Sequence, residues 1–239
     1  MNAAATFFDG EGEHRSRAQF DDEVRRIAGG FRAHGLREGV TVAMLMRNDL
    51  PLAQGMVACE MAGLYCVPIN WHGTLDETMH VLADSEASLL VAHTDLLDAL
   101  DGVVPEGIRV IAVDTPASIA ACYVREPLAP GRWRSGTRWV GWAEWLASQP
   151  PLDRPSERRR GAIIYTSGTT GRPKGVQREP STDALAVASH LRTLHSAFGT
   201  APGMRVAILG PLYHGGPGAY WRAAYAATRD DGFVLMRSK

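Results

Sequence analysis

The sequence predicts an α/β fold, with layered sheets that carry helices on both faces. Apolar, strand-like runs alternate with amphipathic helical patterns along most of the 239 residues, which is typical of parallel sheets. The runs are continuously apolar, as in "VTVAMLM" (residues 40–46), and such strands are usually covered on both sides. A chain of this length can bury a substantial core, as one large domain or two small ones.

The β-α-β rhythm is clearest in the first half of the chain. Apolar residues recur at three- and four-residue steps from 20 to 31 and predict an amphipathic helix. Thr74 and Glu77 have the spacing of a capping box and predict the start of another helix. Further apolar runs read as strands: "LYCVPIN" (64–70), "ASLLVA" (87–92) and "RVIAV" (109–113).

The rhythm fails between residues 115 and 160 and then returns. The segment "PPLDRPSERRR" (150–160) predicts a solvated linker between an α/β subdomain (1–149) and a second α/β segment (161–239). Trp139, Trp142 and Trp145 recur at three-residue steps and predict a helix before this linker. In the second segment we expect strands at 161–166, 204–210 and 232–236, helices at 181–198 and 219–228, and a loop at 211–218.

Composition excludes several function classes. The formal net charge of −1 lacks the basic excess that a general nucleic-acid binder needs. The three cysteines, Cys59, Cys66 and Cys122, lack metal-ligand spacing and predict reduced core residues. The first residues carry acids where a signal peptide needs an apolar run, and no stretch approaches the ~18 apolar residues of a membrane span. We therefore expect a cytoplasmic protein with small-molecule partners, no nucleic acid and no transmembrane segment.

The most informative stretch is "IIYTSGTTGRPKGVQ", residues 163–177, which follows a buried strand. Its glycines allow the backbone to approach a ligand closely, and exposed N–H groups in such a loop form an anion site. Lys174 adds positive charge beside several hydroxyl side chains, so the predicted ligand of the loop is a polyphosphate. A Walker A loop is excluded because Lys174 follows Pro173, which blocks a helix at that point.

The stretch "YTSGTTGRPKGV" (165–176) resembles the signature loop of the adenylate-forming (AMP-binding) superfamily, which includes acyl-CoA synthetases, adenylation domains of peptide synthetases, and luciferases. Two other stretches resemble the same family in order and spacing. They are "GLYCVPINWHGTLDETMHVLADSEASLLV" (63–91) and "PLYHGGP" (211–217). The resemblance runs from about residue 17 to the end and covers the N-terminal part of such an enzyme, within its large N-terminal domain.

The resemblance implies ATP-dependent activation of a small carboxylic acid to an acyl-adenylate, followed by transfer to coenzyme A in the acyl-CoA synthetase branch. It implies ATP and coenzyme A as substrates and Mg²⁺ bridging phosphate oxygens. The residues that would bind the ATP phosphates are Thr166, Ser167, Gly168, Thr169, Thr170, Gly171 and Lys174. Those that would line the acyl and thiol pocket are Tyr213, His214, Gly215 and Gly216.

Other motifs of the family have no counterpart in these 239 residues. They include the adenine loop, the ribose-binding aspartate and the lysine that contacts the carboxylate, so neither a catalytic residue nor a protein metal ligand is assigned. Three alternatives remain open. The chain could be a non-catalytic nucleotide-binding remnant, an adenylation domain that delivers to a carrier protein, or a phosphotransferase, which would release ADP instead of AMP. The identity of the carboxylic acid also stays open.

Overall fold

The computed structural model describes residues 6–8, 13–100, 102–123, 139–166, 172–202, 204–227 and 233–235. Its strands are β1 (Thr6–Phe8), β2 (His14–Ser16), β3 (Thr41–Leu45), β4 (Tyr65–Pro68), β5 (Ala87–His93), β6 (Arg109–Val113), β7 (Trp139–Gly141), β8 (Ile164–Thr166), β9 (Lys174–Val176), β10 (Val206–Ile208) and β11 (Phe233–Leu235). Its helices are α1 (Arg17–Ala33), α2 (Leu50–Met61), α3 (Leu75–Asp84), α4 (Thr94–Asp98), α5 (Ala117–Tyr123), α6 (Trp142–Ala147), α7 (Ala184–Phe198) and α8 (Gly215–Ala227).

The central layer is a five-stranded sheet in the order β4-β3-β5-β6-β7, and every neighbouring pair in it is parallel. The chain leaves β3 for β4 on one side and then crosses to β5 on the other. A second sheet has the order β10-β11-β1-β2, and β8 with β9 forms a separate two-stranded hairpin. This mixed α/β architecture with a parallel sheet confirms the predicted fold class.

Side chains of the central strands alternate between two core clusters. Val42 and Met44 pack in the first cluster with buried residues of α1 and α2, whereas Ala43 and Leu45 pack in the second with buried residues of α3. This alternation follows from the two-residue period of a strand, which sends successive side chains to opposite faces. Both faces of the central sheet are therefore covered by helices, and its strands are accordingly apolar throughout.

Local capping signals fix the start of α3 as the sequence predicts. The Thr74 hydroxyl accepts from the backbone N–H of Glu77 at 3.2 Å, and the Glu77 carboxylate accepts from the backbone N–H of Thr74 at 2.7 Å. The two bonds satisfy donors that have no partner inside the helix. None of the described helices is long and apolar enough to cross a membrane.

The helix predicted from the tryptophan spacing was wrong for one of the three residues. Trp139 begins strand β7 and pairs with Val110 of β6, and α6 starts only at Trp142. Pairing at the sheet edge has overridden the helical spacing, as tertiary contacts commonly do. Trp145 is buried in the core. The prediction of a buried thiol was also wrong for Cys122, which is exposed on α5, whereas Cys59 and Cys66 are buried.

The stretch predicted as a linker lies along the first two helices. The backbone N–H of Leu152 donates to the carbonyl of Arg25, and that of Ser156 donates to the carbonyl of Met61, both at 2.8 Å. Arg160 is buried and donates to the carbonyl of Gly63 at 3.0 Å, so the expectation of a solvated side chain was wrong there. The proposed boundaries at residues 149 and 161 stay a prediction.

Close packing between this stretch and α1 makes Gly29 sensitive to substitution. A Cβ at Gly29 would lie 1.9 Å from the carbonyl oxygen of Pro150, a backbone atom that no rotamer change can move. We expect Gly29→Ala to lower the free energy of unfolding by about 1–3 kcal/mol, although alanine has the higher helix propensity. Urea unfolding measures the loss. Gly216→Ala is the control, since a Cβ there meets open space; equal stability of both variants would contradict this packing.

Candidate active site

The signature stretch begins and ends in a β-hairpin. Strands β8 and β9 pair antiparallel, and Thr166 lies directly opposite Lys174. Both residues are exposed to solvent. The hairpin therefore places one predicted hydroxyl donor and the predicted phosphate-binding cation side by side. Ser167, Gly168, Thr169, Thr170 and Gly171 lie outside the described residues, and their roles stay predictions.

The hairpin joins the central sheet at the free edge of β4. Ala162 forms a parallel bridge with Cys66, and the backbone N–H of Ile163 donates to the carbonyl of Cys66 at 2.8 Å. The Ile163 side chain is buried in the core cluster that contains α3 residues. The apolar residues that precede the signature stretch therefore anchor β8 to the central sheet.

Tyr165 packs over the opposite strand and fixes its backbone. A Cβ at Gly175 would lie 2.7 Å from two ring atoms of Tyr165, so only glycine allows this approach. The Tyr165 hydroxyl donates to the carboxylate of Asp84 at 2.6 Å. Burial, together with this neighbouring carboxylate, raises the pKa of Tyr165. The phenol therefore remains a proton donor at neutral pH.

The described end of the hairpin suits a polyanion. The Lys174 ammonium makes no ion pair with any residue in the described part of the chain, so its charge is available to a ligand. Among those same residues, no group of three or more His, Cys, Asp or Glu side chains could hold a metal ion.

The second predicted group lies on another element, where a short loop enters α8. Tyr213 is buried, while His214, Gly215 and Gly216 are exposed. The rings of Tyr213 and His214 lie 4.4 Å apart between centroids, and burial raises the pKa of Tyr213. The observed loop is shorter than the predicted range of 211–218, because α8 begins at Gly215 and includes Gly215 and Gly216 in its first turn.

Asn48, which the sequence analysis did not select, holds this loop from the far side. Its amide nitrogen donates to the carbonyl of Gly210 at 2.9 Å, and its amide oxygen accepts from the backbone N–H of Leu212 at 2.8 Å. The residue is buried where the chain leaves β3. No local pattern signals these bonds, because the partners are separated by more than 160 residues.

A cavity of about 460 Å³, open to solvent, lies between the end of α7, strand β10 and the start of α8. The Phe198 and Tyr220 rings pack at its wall with centroids 5.3 Å apart, and Gly216 leaves space beside them. Tyr220 follows Gly216 by four residues on one face of α8, and this spacing is the signal that could have found it. The lining residues are Ala197, Phe198, Ala207, Ile208, Leu209, Gly210, Gly216, Pro217 and Tyr220.

Comparison with known proteins identifies the family of this chain. The family model described as "AMP-binding enzyme" matches residues 1–225. The uncharacterized protein PA3568 of Pseudomonas aeruginosa is 30% identical over 234 residues, which cover 84% of this chain and 36% of that protein. Feruloyl-CoA synthase of an Amycolatopsis species is 33% identical over 176 residues, which cover 73% of this chain and 30% of that enzyme.

A further relative, the fatty acid–[acyl-carrier-protein] ligase ScoC of Streptomyces coeruleorubidus, is 31% identical over 70% of this chain and 28% of its own length. The chain therefore spans between 28% and 36% of the length of these three relatives.

Solved structures show the same fold. A fatty acyl CoA synthetase from Mycobacterium tuberculosis matches 98% of this chain and 41% of its own with a TM-score of 0.70 at 19% identity. The o-succinylbenzoate CoA synthetase of Bacillus subtilis, in complex with an acyl-adenylate intermediate, matches 100% of this chain and 54% of its own with a TM-score of 0.64 at 19% identity.

The fold is that of the N-terminal part of adenylate-forming enzymes. The chain belongs to the AMP-binding enzyme family, and it corresponds to a partial N-terminal portion of its relatives. The predicted family is confirmed.

Proposed function

We propose that this chain supplies the phosphate-binding and acyl-binding parts of an enzyme that activates a carboxylic acid with ATP and transfers the acyl group to coenzyme A. The observation that carries the proposal is the hairpin, which sets Thr166 opposite Lys174 at the ends of the signature stretch, with no ion pair to Lys174 from the described residues. The feruloyl-CoA synthase relative supports the coenzyme A branch.

The chemistry requires charge neutralisation at the phosphates more than covalent help from the protein. A carboxylate oxygen attacks the α-phosphorus of ATP, pyrophosphate leaves, and the acyl group then carries AMP as a good leaving group. The Lys174 ammonium would neutralise negative charge on the β and γ phosphates, and the Thr166 hydroxyl would donate to a phosphate oxygen. Bound Mg²⁺ would add Lewis-acid neutralisation of the same oxygens.

In the second half-reaction, a thiolate sulfur attacks the acyl carbonyl and AMP departs. The cavity between α7 and α8 is where we place the acyl group, because its wall is apolar and aromatic. His214 and Gly215 are exposed next to this cavity's Gly216 and would border the thiol path. Their role rests on the family resemblance and on this position.

Removing the Lys174 charge gives the direct test. We expect Lys174→Ala to slow carboxylate-dependent ATP–pyrophosphate exchange by about ten- to a hundredfold, the effect of one or two lost charge-assisted bonds. The exchange is measured on the protein as its native source produces it. Arg192→Ala is the matched control, since it removes an exposed positive charge from α7. Equal exchange in Lys174→Ala and the unmodified protein would contradict the assignment.

Delivery to a carrier protein is a second candidate. The relative ScoC is a ligase that acts on acyl carrier protein, and it is 31% identical to this chain. Both candidates share the adenylation step, so they differ only in the acceptor thiol. Incubation with coenzyme A or with a phosphopantetheinylated carrier protein, followed by mass measurement of the thioester, separates them. Release of ADP instead of AMP would exclude both and favour a phosphotransferase.

A further inference from the structure

The outer strand of the hairpin has little support of its own. The residues of β9 are all exposed, and the backbone hydrogen bond and bridge to the central sheet involve Ile163 and Ala162, at the base of the other strand. The described contact of the central sheet on the β9 side comes after the strand, where the Tyr65 hydroxyl of β4 donates to the carbonyl of Arg178 at 3.2 Å. An exposed two-stranded hairpin is at best marginally stable in water. Something else must hold Lys174 at a fixed place if it is to bind a ligand there.

Helix α3 supplies that support through two side chains, one turn apart. The Nε2–H of His80 donates to the carbonyl of Pro173 at 2.9 Å, and the carboxylate of Asp84 accepts from the hydroxyl of Tyr165 at 2.6 Å. Residues four apart share one face of a helix, so both side chains reach the hairpin from the same side. The helix itself is fixed by its capping box and by the buried side chains of Val81 and Leu82.

The His80 contact acts directly on the backbone of Lys174. A proline carbonyl can only accept, so the His80 Nε2 must carry hydrogen in this arrangement. That carbonyl belongs to the peptide unit joining Pro173 to Lys174, and the unit is planar. Holding the oxygen of Pro173 therefore restricts the movement of the peptide unit that contains the Lys174 N–H.

The Asp84 contact acts on the next residue through Tyr165. The ring of Tyr165 lies over Gly175 so closely that a Cβ there would be 2.7 Å from the ring. Asp84 fixes the hydroxyl end of that ring. Lys174 is thus held on both sides, by His80 at the preceding carbonyl and by the Tyr165 ring at the following glycine.

We propose that His80 and Asp84 are positioning residues for ATP, since they hold the backbone on either side of Lys174 where its ammonium meets the phosphates. The proposal rests on the function proposed above. Its physical basis is preorganisation, because a lysine on a loosely held strand must lose backbone freedom before it binds. Neither side chain touches the phosphates, so each acts only through the hairpin.

Paired substitutions test the two contacts. Equilibrium binding of MgATP and of inorganic tripolyphosphate is measured with the protein as its native source produces it. We expect His80→Ala and Asp84→Ala each to weaken both affinities by about three- to tenfold, the effect of one lost hydrogen bond. His80→Gln keeps a donor and Asp84→Asn keeps an acceptor, so both should bind within about twofold of the unmodified chain. His190→Ala removes an exposed histidine from α7 and is the control.

Hydrogen exchange supplies a readout that does not depend on ATP. The amides of Lys174, Gly175 and Val176 should exchange faster in His80→Ala and Asp84→Ala, and at the unmodified rate in His190→Ala. Unchanged exchange in the alanine variants would overturn the positioning role. Faster exchange with unchanged affinity would also overturn it, since the contact would then be structural only.

The two proposals fail in different ways. If the unmodified protein from its native source binds neither MgATP nor tripolyphosphate, the proposed function is wrong, and so is the proposed role of α3 in ATP binding. If the unmodified protein binds both and His80→Ala binds them equally well, only the positioning role is wrong. Weaker binding in both alanine variants, restored by glutamine and asparagine, supports both proposals.

Discussion

Replacing Asp95 by alanine is expected to lower the free energy of unfolding by about 3–5 kcal/mol, because the change leaves the Arg47 guanidinium buried without its counter-charge. Both nitrogens of the guanidinium fork meet the carboxylate, at 3.0 Å and 2.8 Å. Each of the two side chains is only 6% exposed. Water therefore cannot replace the lost partner, as it does at a surface ion pair.

Neighbouring groups make the Arg47 site depend further on Asp95. The guanidinium lies 4.7 Å from the ring centroids of both Trp71 and Tyr123. Its Nε already has no hydrogen-bond partner among the described residues. Thr115 donates to the Asp95 carboxylate at 2.7 Å and would lose its acceptor as well. The Arg47 ion pair and the Thr115 hydrogen bond are made only while the carboxylate is present.

Urea unfolding of Asp95→Ala measures the predicted loss. The double variant Arg47→Met, Asp95→Ala is the control, because removing both charges leaves no unpaired ion in the interior. We expect the double variant to regain most of the stability. A single variant as stable as the unmodified chain would show that water reaches Arg47 and that the pair contributes little.

This ion pair occupies a position where open α/β sheets often bind ligands. Arg47 and Asp95 follow the carboxyl ends of β3 and β5, between which the strand order reverses. Here the crevice holds the protein's own charges and aromatic rings. The residues that the family resemblance selects lie elsewhere, on the hairpin beside β4 and at the start of α8.

The sequence was most informative where structure is set locally. The capping box of Thr74 and Glu77 predicted the start of α3, and α7 ends at residue 198 as predicted, because Gly199 takes the left-handed conformation there. The continuous apolar runs predicted the parallel strands because such strands are buried on both faces. The helix predicted at Trp139 was wrong because sheet pairing, which is not local, decided the conformation of this residue.

The candidate site was only partly predictable for the same reason. Thr166 and Lys174 could be selected because they belong to one short motif. The contacts that hold them, such as His80 to Pro173, join residues 93 positions apart. A spacing of four between His80 and Asp84 shows that they share a helix face, yet it does not say what that face meets.

Replacing Asn48 by alanine should be the second large effect, about 2–4 kcal/mol of lost stability. Two backbone groups in a buried or partly buried setting, the carbonyl of Gly210 and the N–H of Leu212, would lose their partner, and each such loss costs about 1–3 kcal/mol. Urea unfolding measures the change. Asn70→Ala is the matched control, since its amide accepts one exposed bond from the backbone of His72. Equal midpoints for the two variants would contradict this account.

If the proposed function holds, Asn48→Ala should change the KM values for the two substrates unequally. The loop that Asn48 fixes leads into Tyr213, His214 and the cavity wall, whereas Lys174 is held by α3 and β8. At temperatures where the variant remains folded, we therefore expect Asn48→Ala to raise the KM for the carboxylic acid by more than the KM for ATP. Steady-state kinetics with each substrate varied in turn decides this. Equal increases in both values would mean that the loop and the hairpin move as one unit, and the acyl and phosphate sites would then share a single support instead of two.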